Sequence, residues 1–179
     1  MREDIKEILL SEEEIKSKVK ELGAEISRDY EGKELVVVGV LKGSVIFAAE
    51  LLKNITTDCE LDFMAVSSYG NSTESSGIVR ILKDLDNDIE GKHVLIVEDI
   101  VDTGITLSYL LKYLKQRHAA SIEIVTLLNK PARRVADINV KYHGFEVPDE
   151  FIVGYGIDYA EKYRNLPYIG ILKREVYEK

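Results

Sequence analysis

The chain has 179 residues, 45% of them apolar and 31% charged, with a formal net charge of −8. That length suits one domain able to bury a substantial core, and that charge excludes an overall basic footprint for nucleic acid, leaving only a local basic patch open. A single cysteine, Cys59, rules out an intrachain disulfide, and no apolar run reaches the roughly 18 residues of a membrane span.

The start, MREDIKEILLSEEE, carries acids and no long apolar run, so no signal peptide is expected and a reducing, cytoplasmic setting fits. Ser11 followed by Glu14 has the form of a capping box. Ile15, Val19, Leu22 and Ile26 come after it at helical spacing, which predicts an amphipathic helix. LVVVGVL (35–41) is a compact β-branched run, the pattern of a buried parallel strand. LKGS follows, and VIFAAELLKNI after it reads as a helix. LDFMAVSSY (61–69) is a second strand, and GNSTESSG (70–77) is a polar loop of small residues without an apolar anchor. IVRILKD (78–84) alternates apolar and polar side chains, as a half-exposed strand does. HVLIVED (93–99) is the third core strand, ITLSYLLKYLKQ the helix after it, and IEIVTLL (122–128) the next strand. FIVGYG and YIGILK are short strands near the end. Strands alternating with helices predict an α/β domain with a mostly parallel central sheet flanked by helices. Cys59 reads as a small apolar residue, and His93, His118 and His143 lack metal-like spacing.

The chemistry concentrates in VEDIVDTGIT (97–106). Asp102 to Thr106 lie between a buried strand and a helix start, where free backbone N–H groups and the helix dipole favour an anion. Gly104 permits close backbone approach, and Thr103 and Thr106 add hydroxyls. Taken alone, this stretch reads equally well as a strand–turn–helix with a threonine cap. Glu98 and Asp99 change the balance. They sit at the carboxyl end of a parallel strand, where open α/β sheets place ligands. A carboxylate pair there can accept hydrogen bonds from a vicinal diol or hold Mg²⁺ on oxygen. A sugar phosphate presents both ends at once: phosphate to the helix start, hydroxyls to the acids.

VEDIVDTGIT resembles the ribose-phosphate loop of the type I phosphoribosyltransferases: a hydrophobic strand, two acids, two spacers, then D-T-G-x-T. VGVLKGS (38–44), SSYG (67–70), LNKP (128–131) and DEFIVGYGIDYAEKYRNLPYIG (149–170) are similar, in order, to the hypoxanthine-guanine branch of that family. The resemblance covers nearly the whole chain and implies one phosphoribosyltransferase domain, residues 1–179, with a small hood built from the terminal segments. It implies transfer of the phosphoribosyl group of 5-phosphoribosyl 1-diphosphate to a 6-oxopurine base, with Mg²⁺ as cofactor, in a homodimer or homotetramer with neither nucleic acid nor membrane as partner.

The resemblance also implies roles. Glu98 and Asp99 hold the ribose hydroxyls and contribute to the metal site. Asp102, Thr103, Gly104, Ile105 and Thr106 cradle the 5′-phosphate. The family often has a lysine inside this loop where this chain has Ile105, which leaves that position only its N–H. Asp102 also takes a proton from the purine. Leu41, Lys42 and Gly43 form the diphosphate loop, in which the Leu41–Lys42 peptide can be cis, and Arg164 reaches the diphosphate as well. Ser68 and Tyr69 open a mobile lid at about 67–77. Lys130 donates to the exocyclic oxygen of the base and discriminates against adenine. Phe151 stacks on the base, Ile152 and Asp158 meet its edge through their backbone, and Asp158 reaches a second metal through water. Two other readings share the fold: a regulator that binds phosphoribosyl diphosphate, and an enzyme for another base such as adenine, xanthine or a pyrimidine. The net charge of −8 weakens the first. Lys130 and FIVGYGIDY favour a 6-oxopurine over the second. No G-x-G-x-x-G follows an early strand, which argues against a Rossmann dehydrogenase.

Overall fold

The computed structural model describes residues 1–68 and 79–178. Six strands form the central sheet: β2 (Leu35–Leu41), β3 (Cys59–Ser68), β4 (Val79–Lys83), β5 (His93–Val101), β6 (Ser121–Asn129) and β7 (Tyr142–Glu146), in the spatial order β4-β3-β2-β5-β6-β7. Every pair is parallel except β3–β4, which is antiparallel. The mostly parallel sheet read from the sequence is therefore present. β7 is a strand that the sequence pattern does not predict.

Side chains alternate across the sheet because successive residues of a strand point to opposite faces. Leu35 and Val37 of β2, with Leu95 and Val97 of β5, face α1 (Glu12–Asp29) and α2 (Val45–Lys53). Val36, Val38, Val94 and Ile96 face α3 (Ile105–Lys115). Both faces are thus dry, which is why these strands read as unbroken apolar runs rather than as alternating ones. Ile15, Val19, Leu22 and Ile26 of α1 are all buried. The Glu14 N–H reaches the Ser11 hydroxyl oxygen at 3.1 Å, which is one half of a capping box. The other half differs: the Glu14 carboxylate accepts the Ser11 hydroxyl proton at 3.2 Å.

A second sheet of three strands, not hydrogen-bonded to the first, has the order β1-β9-β8: β1 (Ile5–Leu10), β9 (Ile169–Leu172) and β8 (Ile152–Val153), all antiparallel; its Leu10, Ile152 and Ile169 pack into the same core as α1 and α2. It joins the two ends of the chain and forms the small hood. β1 was not anticipated, because IKEILL is interrupted by charges and its partner lies at the far end of the sequence.

Chain order reverses at β2. From it the chain steps to β3 on one side, and β5 later arrives on the other. Ligand crevices of open α/β sheets lie at the carboxyl ends of strands beside such a reversal. The loops leaving β2 and β5 meet there.

Candidate active site

The loop after β2 carries a cis peptide at Leu41–Lys42, as the family resemblance allowed. Gly43 lies directly under the Asp99 carboxylate, so that a Cβ at position 43 would collide with Asp99 Oδ2. Gly156, at φ +98°, closes on the Gly43 carbonyl in the same way. Glycines at these two positions let three backbone segments converge.

Glu98 and Asp99 are half-buried at the end of β5. Loss of water pushes the Glu98 carboxyl well above the usual carboxylate range, and the charge of Asp99 pushes it further. Burial also raises Asp99, against the opposing pull of the Ile100 N–H, 2.7 Å from Oδ1, and of the Arg164 guanidinium. Two carboxylates held together in a poorly hydrated pocket carry more negative charge than the Arg164 guanidinium offsets. Their hard oxygens suit a divalent cation such as Mg²⁺. Among the described residues no three histidine, cysteine or carboxylate side chains gather into a metal cage, so Glu98, Asp99 and Asp158 do not form one by themselves. That also fits Mg²⁺, which commonly binds through one or two carboxylates and completes its shell with water and substrate phosphates.

Asp102 follows on the turn into α3. Its Oδ1 lies 2.8 Å from Arg133 Nε, but the N–H does not point at it, so the contact is one of charge without a hydrogen bond. Arg134 Nε donates to the Asp102 carbonyl at 3.2 Å, and Val135 and Ala136 donate to the Thr103 carbonyl. The turn is thereby tied to the segment after β6. Gly104, at φ +79°, takes the left-handed position that begins α3. No side chain caps this helix start. The Ile105 N–H makes only a long contact of 3.5 Å with the Thr103 hydroxyl.

Two cavities adjoin at this point. One, of about 290 Å³, is lined by Leu41, Gly43, Glu98, Asp99, Thr103, Gly104 and Thr106. The other, of about 390 Å³, is lined by Lys130, Phe151 and Ile152 together with Arg133, Asp149, Arg174 and Tyr177. Ile100 and Asp102 line both. Lys130 is only 8% exposed at the end of β6. Its ammonium donates to the Glu150 carbonyl at 3.0 Å and lies 3.7 Å from Asp149 Oδ1. Phe151 precedes β8, and Ile152 pairs with Ile171 of β9.

Other residues singled out in the sequence stand apart from these linings. Lys42 points to Glu161, 3.3 Å away on the surface. Asp158 accepts the Glu161 N–H at 2.9 Å and pairs with Arg164 at 3.4 Å. Arg164 also donates to the Gly156 carbonyl at 2.8 Å, while its Nε is buried without a partner among the described residues. Ser68 ends β3, and Tyr69 with the rest of the expected lid, 70–77, lies outside the described residues. Arg133, Arg134, Asp149 and Tyr177 also border the site or brace its turn, and no motif in the sequence assigns them there. The adjacent basic pair after LNKP was the one available signal for the first two.

Residues 6–160 match the family model for the phosphoribosyl transferase domain. The chain is 60% identical over 178 residues to hypoxanthine-guanine phosphoribosyltransferase of Bacillus subtilis (strain 168), covering 99% of each. It is 56% identical to the bifunctional protein TilS/HprT of Listeria monocytogenes serotype 4b (strain F2365), matching all of this chain and 28% of that protein. A crystal structure of a hypoxanthine phosphoribosyltransferase from Staphylococcus aureus superposes with a TM-score of 0.98 at 57% identity, covering 100% of this chain and 97% of that one. A six-stranded sheet reversing at β2, acids and a helix start at its carboxyl edge, and likeness over the full length lead to one assignment: the chain belongs to the phosphoribosyl transferase family, in its hypoxanthine-guanine branch.

Proposed function

We propose that the protein is a purine-salvage enzyme that joins hypoxanthine or guanine to the ribosyl group of 5-phosphoribosyl 1-diphosphate, giving IMP or GMP and diphosphate. The observation that carries this is the sharing of Asp102 by the two cavities. One cavity has the chemistry for a phosphorylated sugar and the other for a flat, oxygen-bearing base, and their junction is where a bond between the two forms.

On the sugar side, the N–H groups and hydroxyls of Thr103 to Thr106 receive the 5′-phosphate. Glu98 and Asp99 accept from the ribose hydroxyls. The backbone of Leu41, Lys42 and Gly43 and the Arg164 guanidinium receive the diphosphate, whose departure concentrates negative charge. Glu98 and Asp99, with Asp158 farther out, are the residues to hold Mg²⁺, which when bound supplies charge neutralisation and templating. On the base side, Phe151 offers a stacking face and Lys130 a donor for the exocyclic oxygen. The Lys130 ammonium has three protons, and the Glu150 carbonyl engages one of them. The backbone of Ile152 and Asp158 meets the base edge. Asp102 accepts the proton that the purine loses as its nitrogen attacks the anomeric carbon. Water must be kept from that cation-like centre, a task assigned to Ser68, Tyr69 and the segment after them.

The working form is a cytoplasmic homodimer or homotetramer, to be checked by light scattering. No described helix is long and apolar enough to cross a membrane. The deciding experiment is a spectrophotometric panel of bases with phosphoribosyl diphosphate and Mg²⁺. Hypoxanthine and guanine are expected to turn over and adenine to be poor. Comparable turnover of adenine defeats the role given to Lys130.

A further inference from the structure

Phe151 is held from two directions by one segment near the end of the chain. Its carbonyl accepts the Leu172 N–H at 2.8 Å, which extends by one rung the pairing of Ile152 with Ile171. Its ring carries the Tyr177 ring, with centroids 4.4 Å apart and planes 24° from parallel. Tyr159 packs against the same ring in a T-shaped arrangement, with centroids 5.3 Å apart and planes at 90°. Tyr177 belongs to α4 (Arg174–Tyr177), a single turn. The residue before it, Lys173, donates its N–H to the Asp4 carbonyl at 2.9 Å, and Val176 and Tyr177 pack against Val153, Tyr163, Leu166 and Leu172. Tyr177 also borders the base-side cavity beside Lys130 and Asp102.

An aromatic ring has two faces, and Tyr177 occupies one of those of Phe151. A flat ligand that stacks on Phe151 therefore has the other. We propose that Tyr177 is a positioning residue for the purine: it backs Phe151 and fixes the plane against which the base lies, so that α4 as well as the strand ends sets affinity for the base. The proposal rests on reading the base-side cavity as the purine site. Phe151 is 37% exposed, and without a backing ring it has room to turn about its side-chain torsions. Ordering it would then be charged against base binding. On that reading the phosphate-binding groups belong to the other cavity, across Asp102, so neither sugar-phosphate binding nor the chemical step depends on this stack.

Tyr177→Ala, Tyr177→Leu and Tyr177→Phe are to be compared with the wild-type chain in steady-state IMP formation, varying hypoxanthine and phosphoribosyl diphosphate in turn. The Ala and Leu variants are expected to raise KM for hypoxanthine roughly two- to tenfold, the span that an aromatic pair supplies. Their kcat and their KM for phosphoribosyl diphosphate should stay near wild type. Tyr177→Phe keeps the ring and should recover the wild-type hypoxanthine KM. Leucine keeps apolar bulk and so keeps α4 docked, which separates loss of the ring from loss of the fold. An unchanged or lowered hypoxanthine KM in the Ala and Leu variants overturns the proposal, since Tyr177 is then a bystander or a plug that the base displaces. Failure of Tyr177→Phe to recover KM also overturns it, because the hydroxyl and not the stack is then what matters. So does a joint change of kcat and both KM values in step with a fallen melting temperature, the mark of a purely structural role. Absence of IMP formation by the wild-type chain defeats the purine reading itself, and that result is visible before any variant is made.

Discussion

Asp102 carries the largest single expectation at the scale of the residue. Asp102→Asn keeps the shape of the side chain but cannot accept a proton, so kcat should fall by about 10²–10⁴-fold. Affinity for phosphoribosyl diphosphate should change far less, because Thr103, Gly104 and Thr106 still line the sugar-side cavity. Single-turnover rates and direct binding on the same variant separate the two effects, and intact chemistry with collapsed binding would make Asp102 a loop brace. Gly43 offers a second test. Its missing Cβ is the space that the Asp99 carboxylate fills. Gly43→Ala must displace either the acid or the loop, and a shift on that scale costs on the order of 10²-fold in kcat/KM. A near-wild-type value would mean that Asp99 gives way freely. Asp102, Gly43 and the carboxylate pair were legible in the sequence because they stand in short local motifs. The Arg133 contact with Asp102 was not, since it depends on how the turn after Pro131 folds back across the strand ends.

Among the elements, β4 and α3 are joined by a small polar cluster. Asp84, immediately after β4, receives the Tyr113 hydroxyl and the Arg117 guanidinium of the α3 region. Burial pushes the Asp84 carboxyl up, but Arg117, Tyr113 and the Leu85 N–H together outweigh it and hold the group below its ordinary value. A carboxyl depressed on folding stabilises the protein fully above its unfolded value of about 3.9, and that contribution shrinks as the pH drops through the folded value. Solvent reaches this cluster, so the gain is screened and small. Urea melts between neutral pH and pH 3 should show a shallower acid-side loss of stability in Asp84→Asn than in the wild-type chain, and equal slopes would dismiss the cluster as a source of it. At the start of α1, Ser11→Ala removes the acceptor of the Glu14 N–H and should cost about 1 kcal/mol, read as a shift in urea midpoint. The central strands were plain in the sequence because runs such as LVVVGVL are dry on both faces. β1 and β7 were hidden for the opposite reason: IKEILL and YHGFE keep polar positions at sheet edges, and only their partners make them strands.

For the molecule as a whole, the two sheets differ in how firmly they are held. The central one is packed on both faces by helices. The hood has three short strands, with Leu10, Ile152 and Ile169 resting on the main core on one side and only a small cluster around Val153, Tyr163, Leu166 and Leu172 on the other. Opening energies follow local burial, so amide exchange should be slowest in β2 and β5 and measurably faster in β1 and β9. Equal protection would mean that hood and sheet open only together. The pairing of β1 with β9 also sets an order in time. On the ribosome, Ile5 to Leu10 emerge long before Ile169 to Leu172 and must wait, unpaired, until those follow. The sugar-phosphate loop after β5 can take shape while translation continues. The platform proposed for the base cannot, because Phe151 is anchored by Leu172 and Tyr177. A chain interrupted before Leu172 and Tyr177 would therefore carry the proposed sugar-phosphate half of its recognition surface without the proposed purine half.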